Sequence, residues 1–171
     1  MRDQVFRDLM AAVCAPVTIV TTADQDGPHG STVSAFASLS LRPPLVTAAL
    51  DRRSALLTRI LATRRFGVNV LSSADEELAA RFARPGTDRF AGAAWRQAQG
   101  LPRLDCAAGW AACELEQAAG RGDHLLLIGR VVHAETRPAA PLVYGHRTFG
   151  THSRFAHRPR PVTDMIAACA R

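Results

Sequence analysis

Apolar and polar positions alternate along this chain with two different periods. Val5, Phe6, Leu9, Met10 and Val13 are spaced for one face of a helix, which predicts a short amphipathic helix over 3–13. Beyond it the pattern becomes that of strands: PVTIVTT (16–22), LVTAAL (45–50), FGVNVL (66–71), and two long runs at 109–119 and 124–136. GRGD reads as the hairpin between the last two, and Gly129 inside the second suggests a bulge. A turn rich in Asp and Gly leads from the first strand into GSTVSAFASLSLRPP (30–44). Taken as one extended strand, this stretch puts Val33, Ala35, Ala37 and Leu39 on a thin core face. Thr32, Ser34, Phe36, Ser38 and Ser40 line the other face, a row made mostly of hydroxyls.

Two further helices are predicted. Leu56, Leu57, Ile60 and Leu61 make one stripe over 54–65, and Ser73 with Glu76 forms a capping box opening the helix in DEELAARFA. Residues 84–92 read as a loop, 141–150 as a last short strand or loop, and the basic tail from 151 holds room for one helical turn. Mostly hairpin-linked strands with a few short helices argue a mainly β fold, a β-barrel with peripheral helices, in a single domain over 1–171.

Composition narrows the class. A chain of 171 residues, 47% hydrophobic and 21% charged, buries a real core and is not disordered. No apolar run approaches a membrane span, and the opening MRDQVFRDLM does not read as a signal peptide. Cys14, Cys106, Cys113 and Cys169 lack zinc or CxxC spacing, so they read as reduced thiols of a cytoplasmic protein, and no metal site is expected. The net charge is +6 and all 21 basic residues are arginine. Without lysine there is no Walker A loop and no pyridoxal Schiff base. The arginines are scattered rather than clustered, which suits anionic small molecules at least as well as nucleic acid.

The chemistry-bearing stretches are individually modest. GRGDHLLLIG starts like a dinucleotide fingerprint but has Leu125 at the third glycine position and runs into a strand, so a Rossmann phosphate loop is rejected. Asp51, Arg52, Arg53 and Ser54 stand where a strand ends and a helix begins. Free N–H groups, a capping hydroxyl and two guanidinium groups there suit a phosphate monoester; the plain alternative is an ordinary cap beside solvated arginines. His124 follows Gly122-Asp123 at the mouth of a strand, where Asp123 is expected on the opposite face and so need not pair with it. His29, His133, His146, His152 and His157 show no ligand spacing, and Trp95 and Trp110 read as core or interface anchors.

In chain order, DGPHGSTVSAFASLSLRPPLV, LDRRSALL, FGVNVL, LAARFA, DRFAGAAW, GDHLLLIG and PLVYGHRTFG resemble the flavin reductase family, the short-chain kind that supplies reduced flavin to two-component monooxygenases. The resemblance runs from about Val17 to Gly150 and implies an FMN-binding split β-barrel with peripheral α-helices. It implies that Thr32, Ser34, Ala35, Ser38 and Ser40 border an isoalloxazine ring, that Asp51, Arg52 and Ser54 hold the flavin phosphate, and that Asn69 and Phe82 line the site. His124 and Arg147 would position NADH or NADPH. The flavin would be FMN or FAD, the enzyme a homodimer, and no residue a proton-transfer catalyst, since hydride passes directly between stacked rings. Arg42, where an acidic residue is expected, and Phe149, where Tyr is expected, depart from the family pattern. The competing readings are an FMN-dependent oxidase of the pyridoxamine-phosphate type, a flavin-carrying electron-transfer module, and an arginine-driven nucleic-acid binder.

Overall fold

The computed structural model describes residues 3–155 except Thr87. The helical turn expected in the tail, His157 and Cys169 lie outside the described residues. Helix α1 (Asp3–Ala11) opens the described chain, followed by β1 (Ala15–Pro16), β2 (Thr18–Asp24), β3 (Gly27–Val33), β4 (Phe36–Leu41) and β5 (Pro44–Asp51). Then come α2 (Ala55–Thr63), β6 (Arg65–Val70), α3 (Glu76–Ala83), β7 (Trp95–Ala98), β8 (Leu101–Leu104), β9 (Gly109–Arg121), β10 (His124–Thr136), β11 (Val143–Gly145) and β12 (Thr148–Gly150).

Seven strands form one antiparallel sheet in the order β3-β2-β6-β9-β10-β5-β4. Its two edge strands, β3 and β4, are consecutive in the chain and separated only by Ser34 and Ala35. Two residues span less than about 10 Å, so the sheet must curl until its edges meet. The closure is incomplete. β10 runs on from Val131 to Thr136 after its last pairing with β5, Arg130 opposite Leu45, and the barrel is split there.

The curl gives β2 two buried faces. Val20 packs inside the barrel with Val33, Phe66, Val68, Leu115 and Leu127, while Ile19 points outward to Phe82, Leu104 and Leu142. Leu56, Leu57 and Ile60 of α2 join the inner cluster and close one end of the barrel. Ser54 caps α2, its hydroxyl accepting from Leu57 N, and Arg64 ends it in the left-handed conformation (φ 60°). Gly129 does sit at a bulge: Ile128 faces Gln117 and Gly129 faces Leu115, which leaves Glu116 as the extra residue.

Several expectations are corrected. The stretch 30–44 is not one strand. Ser34 O accepts from Phe36 N in a tight bend, and a second irregularity between Ser38 and Ser40 resets the alternation again. Phe36 therefore packs on the core, whereas Ala35, Ala37 and Leu39 are exposed. The capping box is absent: α3 starts after Asp75, whose carboxylate instead accepts from the N–H and hydroxyl of Ser72. The loop expected over 84–92 is followed by a hairpin, β7–β8, turned at Gln99-Gly100, both at positive φ as such a turn needs. Residues 141–150 form a second hairpin, β11–β12, turned at His146-Arg147 and paired with β1.

Candidate functional site

Strand register gathers three stretches that are far apart in sequence. Ala49 N donates to Ala35 O at 2.9 Å, and Phe36 stands opposite Ala48, so Ser34 and Ala35 lie toward the Asp51 end of β5. Across the other edge of β5, Asp51 stands opposite His124. Ser34–Ala35, Asp51–Ser54 and Gly122–His124 thus share one end of three adjacent strands.

The corner itself is held by its own charges. Arg53 Nε and Nη2 donate to the two Asp51 carboxylate oxygens at 3.1 and 2.8 Å, and Arg53 N donates to the first at 2.8 Å. Those bonds, from the guanidinium first and the backbone second, hold the Asp51 carboxyl well below the usual carboxylate range. Arg52 turns the other way. Its N–H donates to Asp123 O and its Nε to Gly122 O, both at 2.9 Å. Its Nη1 and Nη2 meet no acceptor among the described residues, and the Ser54 hydroxyl proton is likewise uncommitted. A charged fork and a hydroxyl at the start of a helix together fit a phosphate monoester.

His124 pairs with its neighbour Asp123, a contact that the alternation of faces leaves open. Its Nδ1 lies 2.7 Å from Asp123 Oδ1, and this bond holds the Asp123 carboxyl below its ordinary range. The imidazole remains about half exposed. It is free to face a ligand through its other nitrogen.

The remaining candidate residues separate. Ser38 and Ser40 lie further along β4, opposite Val46 and Leu45, away from the Asp51 end of β5. Thr32 spends its hydroxyl on Ala79 O at 2.7 Å. Phe82 is fully buried under Gly30 and against Phe90. Asn69 is also fully buried: its Nδ2 donates to Ile19 O at 3.1 Å, and its Oδ1 accepts from Leu104 N at 2.8 Å. Its amide serves the barrel wall and offers a ligand nothing. Arg147 pairs with Asp8 of α1 at 2.5 Å, on the β11–β12 hairpin rather than beside His124. Phe149 packs on Tyr144, ring centroids 5.0 Å apart, and Arg42 precedes a cis proline.

One feature near the corner arises only in the folded chain. A cleft of about 640 Å³ begins at Ala55 and Leu56, directly after Ser54, and is bordered by Arg59, Arg89 and Trp95. Arg89 donates to Gly30 O and Arg84 O, and burial pulls its pKa down. Only the loop fold brings it to α2, though DRF is a visible basic-aromatic cluster in the sequence. Among the described residues no group of His, Cys, Asp or Glu is placed to hold a metal ion, and no helix is long and apolar enough to cross a membrane.

A curled, incompletely closed antiparallel sheet with an anion corner at one end defines a mainly β split barrel. Residues 10–153 match the family model described as a flavin reductase like domain, and the chain belongs to that family. It is 37% identical over 170 residues to the NADH:riboflavin 5'-phosphate oxidoreductase of Streptomyces pristinaespiralis, covering 96% of this chain and 92% of that protein. It is 34% identical over 143 residues to the reductase subunit of a flavin-dependent monooxygenase of Mycobacterium tuberculosis, covering 81% and 76%. Its fold is similar to that of the Streptomyces globisporus NADH:FAD oxidoreductase in complex with NAD and FAD fragments. The TM-score is 0.85 at 28% identity, covering 90% of this chain and 95% of that one.

Proposed function

We propose that this flavin reductase moves a hydride from NADH or NADPH to FMN or FAD, and that the reduced flavin serves a partner monooxygenase. The observation that carries the assignment to this end of the barrel is that Arg52 reaches the Gly122–Asp123 turn, so an anion corner and a second ligand-facing turn adjoin. Bound flavin supplies the hydride acceptor. The chain's own residues bind and orient: Arg52 Nη groups, the Ser54 hydroxyl and the α2 N–H groups take the flavin phosphate, and the exposed Ser34–Ala35 bend borders the ring. His124 orients the nicotinamide nucleotide. None of them needs to move a proton, because ring stacking rather than acid–base chemistry governs hydride transfer. In this reading Thr32, Asn69 and Phe82 support the wall behind the site. A homodimer working in the cytoplasm completes the proposal; exposed Leu39 and Leu41 on β4 and the bare apolar face of α1 are the surfaces that favour dimerisation.

The test is the rate of NADH and NADPH oxidation, followed by absorbance with and without FMN or FAD. Flavin-dependent consumption is expected; none with either flavin overturns the assignment. Arg52→Ala combined with Ser54→Ala is expected to weaken FMN binding tenfold or more, since charge-assisted hydrogen bonds are worth about 1.5–3 kcal/mol each. Riboflavin, which has no phosphate, should bind the variant and the native protein alike. Riboflavin binding the native protein as tightly as FMN does would remove the phosphate from this corner.

A further inference from the structure

We propose that Arg52 is a positioning residue shared by both substrates, tying the phosphate corner to the nucleotide turn so that flavin phosphate and nicotinamide nucleotide bind cooperatively. The proposal rests on the site reading above. Three contacts carry it. Arg52 N donates to Asp123 O and Arg52 Nε to Gly122 O, each at 2.9 Å. The guanidinium also lies so close over Gly120 that a methyl group there would collide with Nη2. The absence of a side chain at Gly120 is what lets the arginine lie flat on the hairpin.

A guanidinium has five donors in one rigid plane. Here one edge holds the turn through Nε, while Nη1 and Nη2 donate to no acceptor among the described residues. An anion taken by the free edge fixes the plane, and the plane fixes Nε against Gly122 O. Gly122 is the left-handed residue of this turn, at φ 57°, with nothing within 4 Å of where a Cβ would stand. Pinning its carbonyl holds the turn that leads into His124, two residues on. Arg53 cannot do this, because its guanidinium is committed to Asp51. Lysine could not either, since an ammonium has no second edge to hold the turn. Linkage requires the effect to be reciprocal: whatever the phosphate adds to nucleotide affinity, the nucleotide adds to phosphate affinity.

Calorimetric titration with NAD⁺, which does not turn over with oxidised flavin, reads the coupling without catalysis. The protein is dialysed free of flavin and then saturated with riboflavin or with FMN. Ring stacking is common to both flavins, so any excess with FMN reports the phosphate. FMN is expected to tighten NAD⁺ binding at least fivefold more than riboflavin does. Gly120→Ala, which displaces the guanidinium without touching either ligand, and Arg52→Lys, which keeps the charge, should each cut that excess below twofold with melting temperature unchanged. An excess retained in either variant overturns the coupling. So does its absence from the native protein when FMN binds more tightly than riboflavin, and the anion corner then still stands. Equal binding of FMN and riboflavin to the native protein overturns the corner and the coupling together.

Discussion

At the scale of single residues, burial decides what a polar side chain can do. Asn69 belongs to a motif that points to the site, yet every part of its amide is spent on Ile19 O, Thr21 Oγ1 and Leu104 N. Asn69→Ala should destabilise the protein by about 1–3 kcal/mol for each buried group left unpaired, while the flavin dissociation constant at low temperature stays unchanged. Chemical denaturation beside a flavin titration checks both halves. His124 is the opposite case, half exposed and paired only with Asp123. His124→Ala should raise the KM for the nucleotide roughly tenfold, the cost of one hydrogen bond to a charged group, with the melting temperature close to native. A normal KM would exclude it from the site. The thiols follow the same logic. Burial pushes Cys113 up to about 12 and, with the Asp75 carboxylate, Cys106 up to about 11, against an ordinary thiol near 9.0, while Cys14 is exposed. Among the cysteines of the described residues, alkylation at pH 8 should modify Cys14 first and Cys113 last, as peptide mass mapping would report. Because the buried thiol of Cys113 ionises later than its unfolded form, its stabilising effect is complete below pH 9 and is lost as the pH rises from 9 toward 12. Over that range the melting temperature of the native protein should fall more steeply than that of Cys113→Ala.

At the scale of elements, the irregular points carry the architecture. The Ser34–Ala35 bend divides what looks like one strand into two edge strands, and the Ile128–Gly129 bulge lets β10 bend around the barrel. Gly129 has a second reason to be glycine: a methyl group there would meet Phe66 Cε1 at 2.7 Å, and Phe66 is fully buried. The ring has no room to retreat. Gly129→Ala should therefore cost about 1–3 kcal/mol in urea unfolding, the usual penalty for overpacking, whereas Gly122→Ala, in open space, loses through its positive φ alone.

At the scale of the whole molecule, the apolar surface left over is informative. Leu41 on edge strand β4 is 80% exposed, and Val5, Phe6, Leu9, Met10 and Val13 form an uncovered stripe along and just beyond α1. A dimer covering these surfaces should elute with twice the 18.4 kDa chain mass in light scattering. Leu41→Glu or Phe6→Glu should shift it toward the monomer without loss of secondary structure. A native monomer would leave the flavin site to one chain alone.

The barrel's elements could be read from sequence because period and turn chemistry are local. The long strands over 109–119 and 124–136, the α2 cap at Ser54 and the bulge at Gly129 all announce themselves within a dozen residues, and β9 runs only two residues further, to Arg121. The hydroxyl-rich stretch and the corner at Asp51–Ser54 were visible too, as residue types suited to an anion and a flat polar ligand. Tertiary structure decided which of them meet. A bend of two residues shifted the alternation, which turned Phe36 inward and Leu39 outward. The register of β5 against β10 set Asp51 opposite His124, and through it gave Arg52 the turn at Gly122. Those pairings join residues 70 or more positions apart, and hydrogen-bond register between strands is chosen by the packing of the closed sheet, not by any one segment.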